Sequence, residues 1–129
     1  MKTSRRYRRT GAVLLEFAFV MPLFLLLLLA VIEFATVLFV RHAMLNAARD
    51  AVRSYSIHEF DSAGAITLAT ERLPAIDVGF TVSATPDSDP GIDRWVEISV
   101  PMTEASLGDP LGVLGDGDLT VRVTMRQED

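Results

Sequence analysis

Gly11-Ala12-Val13-Leu14-Leu15-Glu16-Phe17 opens an apolar stretch, FAFVMPLFLLLLLAVIEFATVLFV over residues 17–40, directly after the basic stub Arg5-Arg6-Tyr7-Arg8-Arg9-Thr10. Phe17 to Ile32 contains no ionisable residue, and Glu33 and Thr36 are the only polar positions from there to Val40. At about 1.5 Å of rise per residue these 24 residues make a helix of about 36 Å, enough to cross a hydrocarbon core of about 30 Å. Basic residues beside a span stay on the cytoplasmic side, so Arg5, Arg6, Arg8 and Arg9 predict a cytoplasmic N-terminus and a C-terminal part outside the cytoplasm. A secretory signal peptide has a shorter apolar region that ends in small residues; this run meets Arg41-His42 instead.

The remaining composition narrows the function classes. Of 129 residues, fewer than 90 lie beyond the run, which leaves room for one small domain and little for a deep cleft. The net charge of −5 is divided: five of the twelve Lys and Arg precede Gly11, so the rest carries seven against seventeen acidic groups, a net −10. A chain that acidic, with scattered arginines, has no electrostatic footprint for nucleic acid. With no cysteine there is neither a disulfide framework nor a thiolate site.

Glu16 is costly at a membrane edge, since an acidic side chain at a helix centre costs about 3 kcal/mol, less toward the interface. A cut between Gly11 and Ala12 would free an amine of pKa about 8, one helical turn from Glu16. The carboxylate then has three readings: it pairs with the amine of its own chain, with that of a neighbour, or sits among headgroups beside the arginines. Pro22 lacks a backbone donor and crowds the carbonyl of Ala18, which predicts a kink or a loosened turn. Glu33 lies about 24 Å along the helix from Phe17 and is expected to snorkel at the outer interface.

GAVLLEF after an arginine-rich leader resembles the type IV prepilin cleavage motif. More narrowly, RRTGAVLLEFAFVMPLFLLLLLAVIEF followed by RHAMLNAARDAVRSYS resembles the TadE-like pseudopilins of tight-adherence (Tad/Flp) pili. The resemblance covers roughly the first 56 residues; beyond them only the strand-rich character and the closing TMRQED match. It departs from the commoner pilin pattern, in which FTLIE-like residues follow the glycine, and this favours the tight-adherence branch. The resemblance implies that Gly11 and Ala12 flank the bond cut by a prepilin peptidase, that Glu16, followed by Phe17, is needed for processing and assembly, and that the leader is lost on the cytoplasmic side. It also implies the partners: other pilins, a sister pseudopilin, and an inner-membrane assembly platform driven by a cytoplasmic ATPase.

Past the run, Arg41 to Ser56 keeps helical character, so the first helix is expected from about Ala12 to Ser56, about 65 Å. Ala43, Ala47 and Ala51 form a small-residue stripe suited to close packing on the chain's own outer domain or on a neighbouring helix. Asp50 and Arg53 can pair on the exposed face. Asp61-Ser62 reads as the N-cap of a second helix, Ala63 to about Leu73, stopped by Pro74. Alternation then predicts three strands: one carrying Val78, Phe80 and Val82; one with Trp95 or its neighbours, Val96, Ile98 and Val100; and one with Leu119, Val121, Val123 and Met125. Asp87 to Asp93 reads as a turn, and Leu107 to Gly117, with Pro110, as a longer connection.

The expected organisation is a basic leader at 1–11, a transmembrane helix at 12–40, its extramembrane continuation at 41–56, and a small outer domain at 57–129. The fold class is α+β and membrane-anchored, with three antiparallel strands against the long helix. His42 and His58 lack a third ligand at metal spacing, and Asp87-Ser88-Asp89-Pro90-Gly91 misplaces the glycine of a calcium loop, so no metal or cofactor is expected. No nucleophile motif or phosphate loop is visible, so neither a catalytic role nor a small-molecule substrate is expected. Two functions remain: a processed minor pilin-like subunit of the inner membrane, possible also at the cell surface, or an uncleaved single-pass anchor presenting a small binding module. Membrane lipid is a partner in both.

Overall fold

The computed structural model describes residues 4–88, 93–107, 112 and 115–127, with side chains from Gly11 onward. Helix α1 spans Ser4–Ser56 and is followed by helix α2 at Ser62–Arg72. Strands β1 (Thr81–Ala84) and β2 (Asp93–Pro101), helix α3 (Met102–Ala105) and strand β3 (Asp118–Arg126) complete the fold. The strands form one antiparallel sheet in the order β1-β2-β3. This is the expected α+β plan of a long apolar helix carrying a small domain.

The helix begins earlier than Ala12. Once a helix exists, each added residue gains a hydrogen bond without a new nucleus, and one glycine costs only about 1 kcal/mol. The stub therefore continues the helix through Gly11. Pro22 also lies inside α1 without ending it. At the other end Glu59 N–H reaches the carbonyl of Ser54 and His58 N–H that of Tyr55, the paired bonds of a Schellman stop. His58 holds the left-handed position at φ 60°, which usually belongs to glycine.

The sheet lies on the upper half of α1. Val96, Ile98 and Val100 of β2 and Val121 of β3 are buried with Val40, Met44, Ala47, Ala48, Ala51, Val52 and Tyr55 of α1. In the ladder Val96 faces Val123 and Ile98 faces Val121 on one side and Val82 on the other, so the apolar residues of all three strands share a face. Ala47 and Ala51 are buried in this core, so the alanine stripe packs on the chain's own domain, with Ala43 only partly covered. Helix α2 adds Ala65 and Ala69 to the same core, and Asp61 caps it by accepting from Gly64 N–H at 2.7 Å.

Three further details of the head differ from the sequence reading. The first strand is short, because Ile76, Val78 and Phe80 donate to carbonyls two residues back and spend those groups on local turns. Val78 and Phe80 nevertheless pack against the core with Val82. Asp50 pairs with Arg72 of α2 at 3.7 Å rather than with Arg53. Helix α3 has no counterpart in the pattern of residues. Of the two predicted connections, residues 89–92 and most of 108–114, Pro110 included, lie outside the described residues, as do Glu128 and Asp129 of the closing TMRQED.

Candidate functional site: the foot of the stalk and its junction with the head

At the foot of α1, Gly11, Ala12, Glu16 and Phe17 are all exposed. A side chain built on Gly11 would meet no atom within 4 Å, so nothing among the described residues requires glycine there. Glu16 has no ion-pair partner among the described residues; Arg5, Arg6, Arg8 and Arg9 belong to the backbone of α1, but their side chains lie outside that description. Phe17, Val20, Met21 and Phe24 line an open, wholly apolar groove on one side of the helix. From Ala12 to Leu28 every residue is exposed, and apart from Glu16 the large ones are apolar on all sides of the helix. A helix that is hydrophobic all round is suited to a core or a membrane, and no core surrounds this one. Among the described residues it is one helix long and apolar enough to cross a membrane.

Glu33 departs from expectation. It is 5% exposed rather than snorkelling, and its Oε1 accepts a hydrogen bond from Leu107 N–H at 3.1 Å, just beyond α3. Its Oε2 is buried without a partner among the described residues. The head therefore reaches down the stalk to this carboxylate and screens it on one side. Helix α3 is itself held from above: Glu104 Oε2 accepts from Gly79 N–H at 2.6 Å, where a Cβ on residue 79 would sit only 3.0 Å from the same oxygen.

At the top of α1 a second polar cluster fixes the helix end to the loop after β1. The Tyr55 hydroxyl lies 2.7 Å from the Thr85 carbonyl and 2.8 Å from Asp87 Oδ1, so its single proton serves two acceptors. Asp87 also accepts from the Ser62 backbone N–H at 3.0 Å and the Ser62 hydroxyl at 2.7 Å. These bonds, led by the Ser62 hydroxyl and then Tyr55, hold the Asp87 carboxyl below its usual range. Burial and the Asp87 bond push the Tyr55 hydroxyl up to about 12. Arg94 lies over the Tyr55 ring at 5.2 Å, a cation–π distance.

His42 is exposed, and His58 meets the Gln127 side chain rather than a second histidine. Among the described residues no cluster of three His, Cys, Asp or Glu is placed to hold a metal ion. Neither Glu33 as a junction nor Asp87 as a clamp emerged from the sequence reading. For Glu33 a signal existed: residues 33, 37, 40, 44, 47, 51 and 55 keep the three-and-four spacing of one helix face, and all seven are buried.

The family comparison falls on the same half of the molecule. The model of the TadE-like protein family matches residues 11–53. Over that segment, a third of the chain, the protein is similar to the TadE-like family. The matched segment begins at the glycine of the foot and ends three residues before α1 does. No curated protein and no solved structure matches it.

Proposed function

We propose that this TadE-like chain is a minor pilin-like subunit, a pseudopilin, cut by a prepilin peptidase between Gly11 and Ala12 and used in assembling a tight-adherence pilus. The observation that carries the reading is the coincidence at the foot of α1: the family match starts at Gly11, and Glu16 stands exposed one turn beyond Ala12 on a helix apolar on every side. Cutting would leave an ammonium beside that carboxylate, in a medium where each charge alone is costly. Neighbouring stalks that come into register would share the pairing, which makes assembly depend on Glu16. The role is structural, with the chain a substrate of processing rather than an enzyme.

On this reading residues 1–11 are a leader in the cytoplasm, the span starts at Ala12 in the inner membrane, and the head lies outside. The lipid-facing part is read as ending near Ile32, eight residues before Val40, because Glu33 and Val37 are already buried against the head. About 21 residues at 1.5 Å still give about 31 Å, close to one hydrocarbon thickness. Partners are other pilins, the peptidase and the inner-membrane assembly platform.

Glu16→Ala tests the role. The variant is expected to insert and fold as the parent does while pilus formation falls severely. Pili at the parental level would remove Glu16 from assembly and favour an uncleaved anchor carrying a small binding module.

A further inference from the structure

We infer that Leu107, at the lower rim of the head, is seated in the outer leaflet of the bilayer, so that the protein holds lipid at two places, the stalk and the rim. The inference rests on the single-pass reading above and adds a surface to it.

The stalk is exposed all round only from Ala12 to Leu28, 17 residues. At 1.5 Å each that is about 25 Å, some 5 Å short of a hydrocarbon core of about 30 Å. The missing height falls on Leu29 to Ile32, where Leu29 and Ala30 are already half-covered. The Leu107–Glu33 bond puts part of the head beside the top of this segment, at a depth that lipid must fill on the other sides of the helix.

Leu107 is the described residue that marks this depth. Its N–H is 3.1 Å from Glu33 Oε1, and a helical side chain leans toward the helix N-terminus, so the carboxylate and Leu107 lie below the Cα of residue 33. Leu107 is 59% exposed and Phe34, the neighbour of Glu33, 62%. Two large apolar side chains at one height suit the boundary between acyl chains and headgroups, and would be poorly placed in water. The same arrangement explains how a carboxylate survives in the apolar run: the rim that enters the leaflet encloses Glu33 on the way. The occupant is thus a lipid surface.

The chain has no cysteine, so single-cysteine variants of the full chain carry a fluorescent label without further change. Leu23→Cys reports the stalk, Leu107→Cys the rim, and Thr124→Cys the exposed side of β3. Each is labelled with an environment-sensitive dye in phosphatidylcholine vesicles containing nitroxide lipids, with unchanged Trp95 fluorescence showing that the head is folded. At position 107 shallow nitroxides are expected to quench several-fold more than at 124, and aqueous iodide several-fold less. Equal quenching at 107 and 124, with Leu23 still lipid-quenched, would overturn the seat and leave the anchor standing. A label at 23 that escapes lipid quenching would overturn both. Shielding at 107 that depends on the protein-to-lipid ratio would assign the rim to a neighbouring subunit and overturn the lipid contact.

Discussion

Residues 12–28 and 40–56 belong to one unbroken helix, yet they solve different problems. Apart from Glu16 the lower part is apolar on every side, with Phe19 75% exposed, and none of its residues is buried among the described residues. The upper part is two-faced: Met44, Ala47, Ala48, Ala51 and Val52 meet the sheet and α2, while Arg41, His42, Asn46, Arg49, Asp50 and Arg53 face outward. Backbone hydrogen bonds form the helix in both, so helix propensity does not distinguish them. What differs is side-chain size and polarity around the circumference, and that sets the surroundings each half accepts.

The largest expected effect contrasts the halves directly. Met44→Ala, at a fully buried site, should cost about 2–5 kcal/mol of head stability, whereas Leu25→Ala on the exposed lower half should stay within about 0.5 kcal/mol. Urea unfolding in micelles, followed by Trp95 fluorescence, measures both. Equal costs would break the division.

The pH dependence sharpens the upper half. A carboxyl held below its ordinary range stabilises the fold at neutral pH, and that contribution is lost as pH falls through the folded value, so stability should drop at acid pH below the usual carboxylate range. Asp87→Asn should flatten that limb of a thermal-midpoint profile. The raised Tyr55 hydroxyl works in the opposite window: the unfolded chain ionises first near 10, so stability should fall between pH 10 and about 12. Tyr55→Phe should remove the alkaline decline, and a retained decline would show that Tyr55 is not its source.

At the point where the upper half stops, His58→Gly should stabilise by about 1 kcal/mol in the same urea assay, because it relieves a side chain at φ 60°. A loss would mean that the Gln127 contact outweighs the strain. The smallest effect belongs to the surface pair of Asp50 and Arg72: Asp50→Ala should change stability by less than about 0.5 kcal/mol.

The sequence announced what depends on local pattern. The apolar run, the Asp61 cap and the alternation of Val96, Ile98 and Val100 each arise from neighbours a few residues away. What it concealed depends on contacts far along the chain. Glu33 is buried by a residue 74 positions later, and Asp87 clamps Tyr55 from 32 positions away. The late start of β1 follows from turns at Val78 and Phe80 that alternation cannot distinguish from a strand. Of the candidate site, the sequence singles out Gly11, Ala12, Glu16 and Phe17 by their spacing, and the structure adds that all four are exposed; the Glu33 junction was not legible, although its phase on the buried face was there to read.

The central claim is that a leader is removed to leave an amine beside Glu16. The most direct measurement is the intact mass of the protein extracted from native membranes. The account predicts a chain that begins at Ala12. A mass that retains residues 1–11 would contradict it.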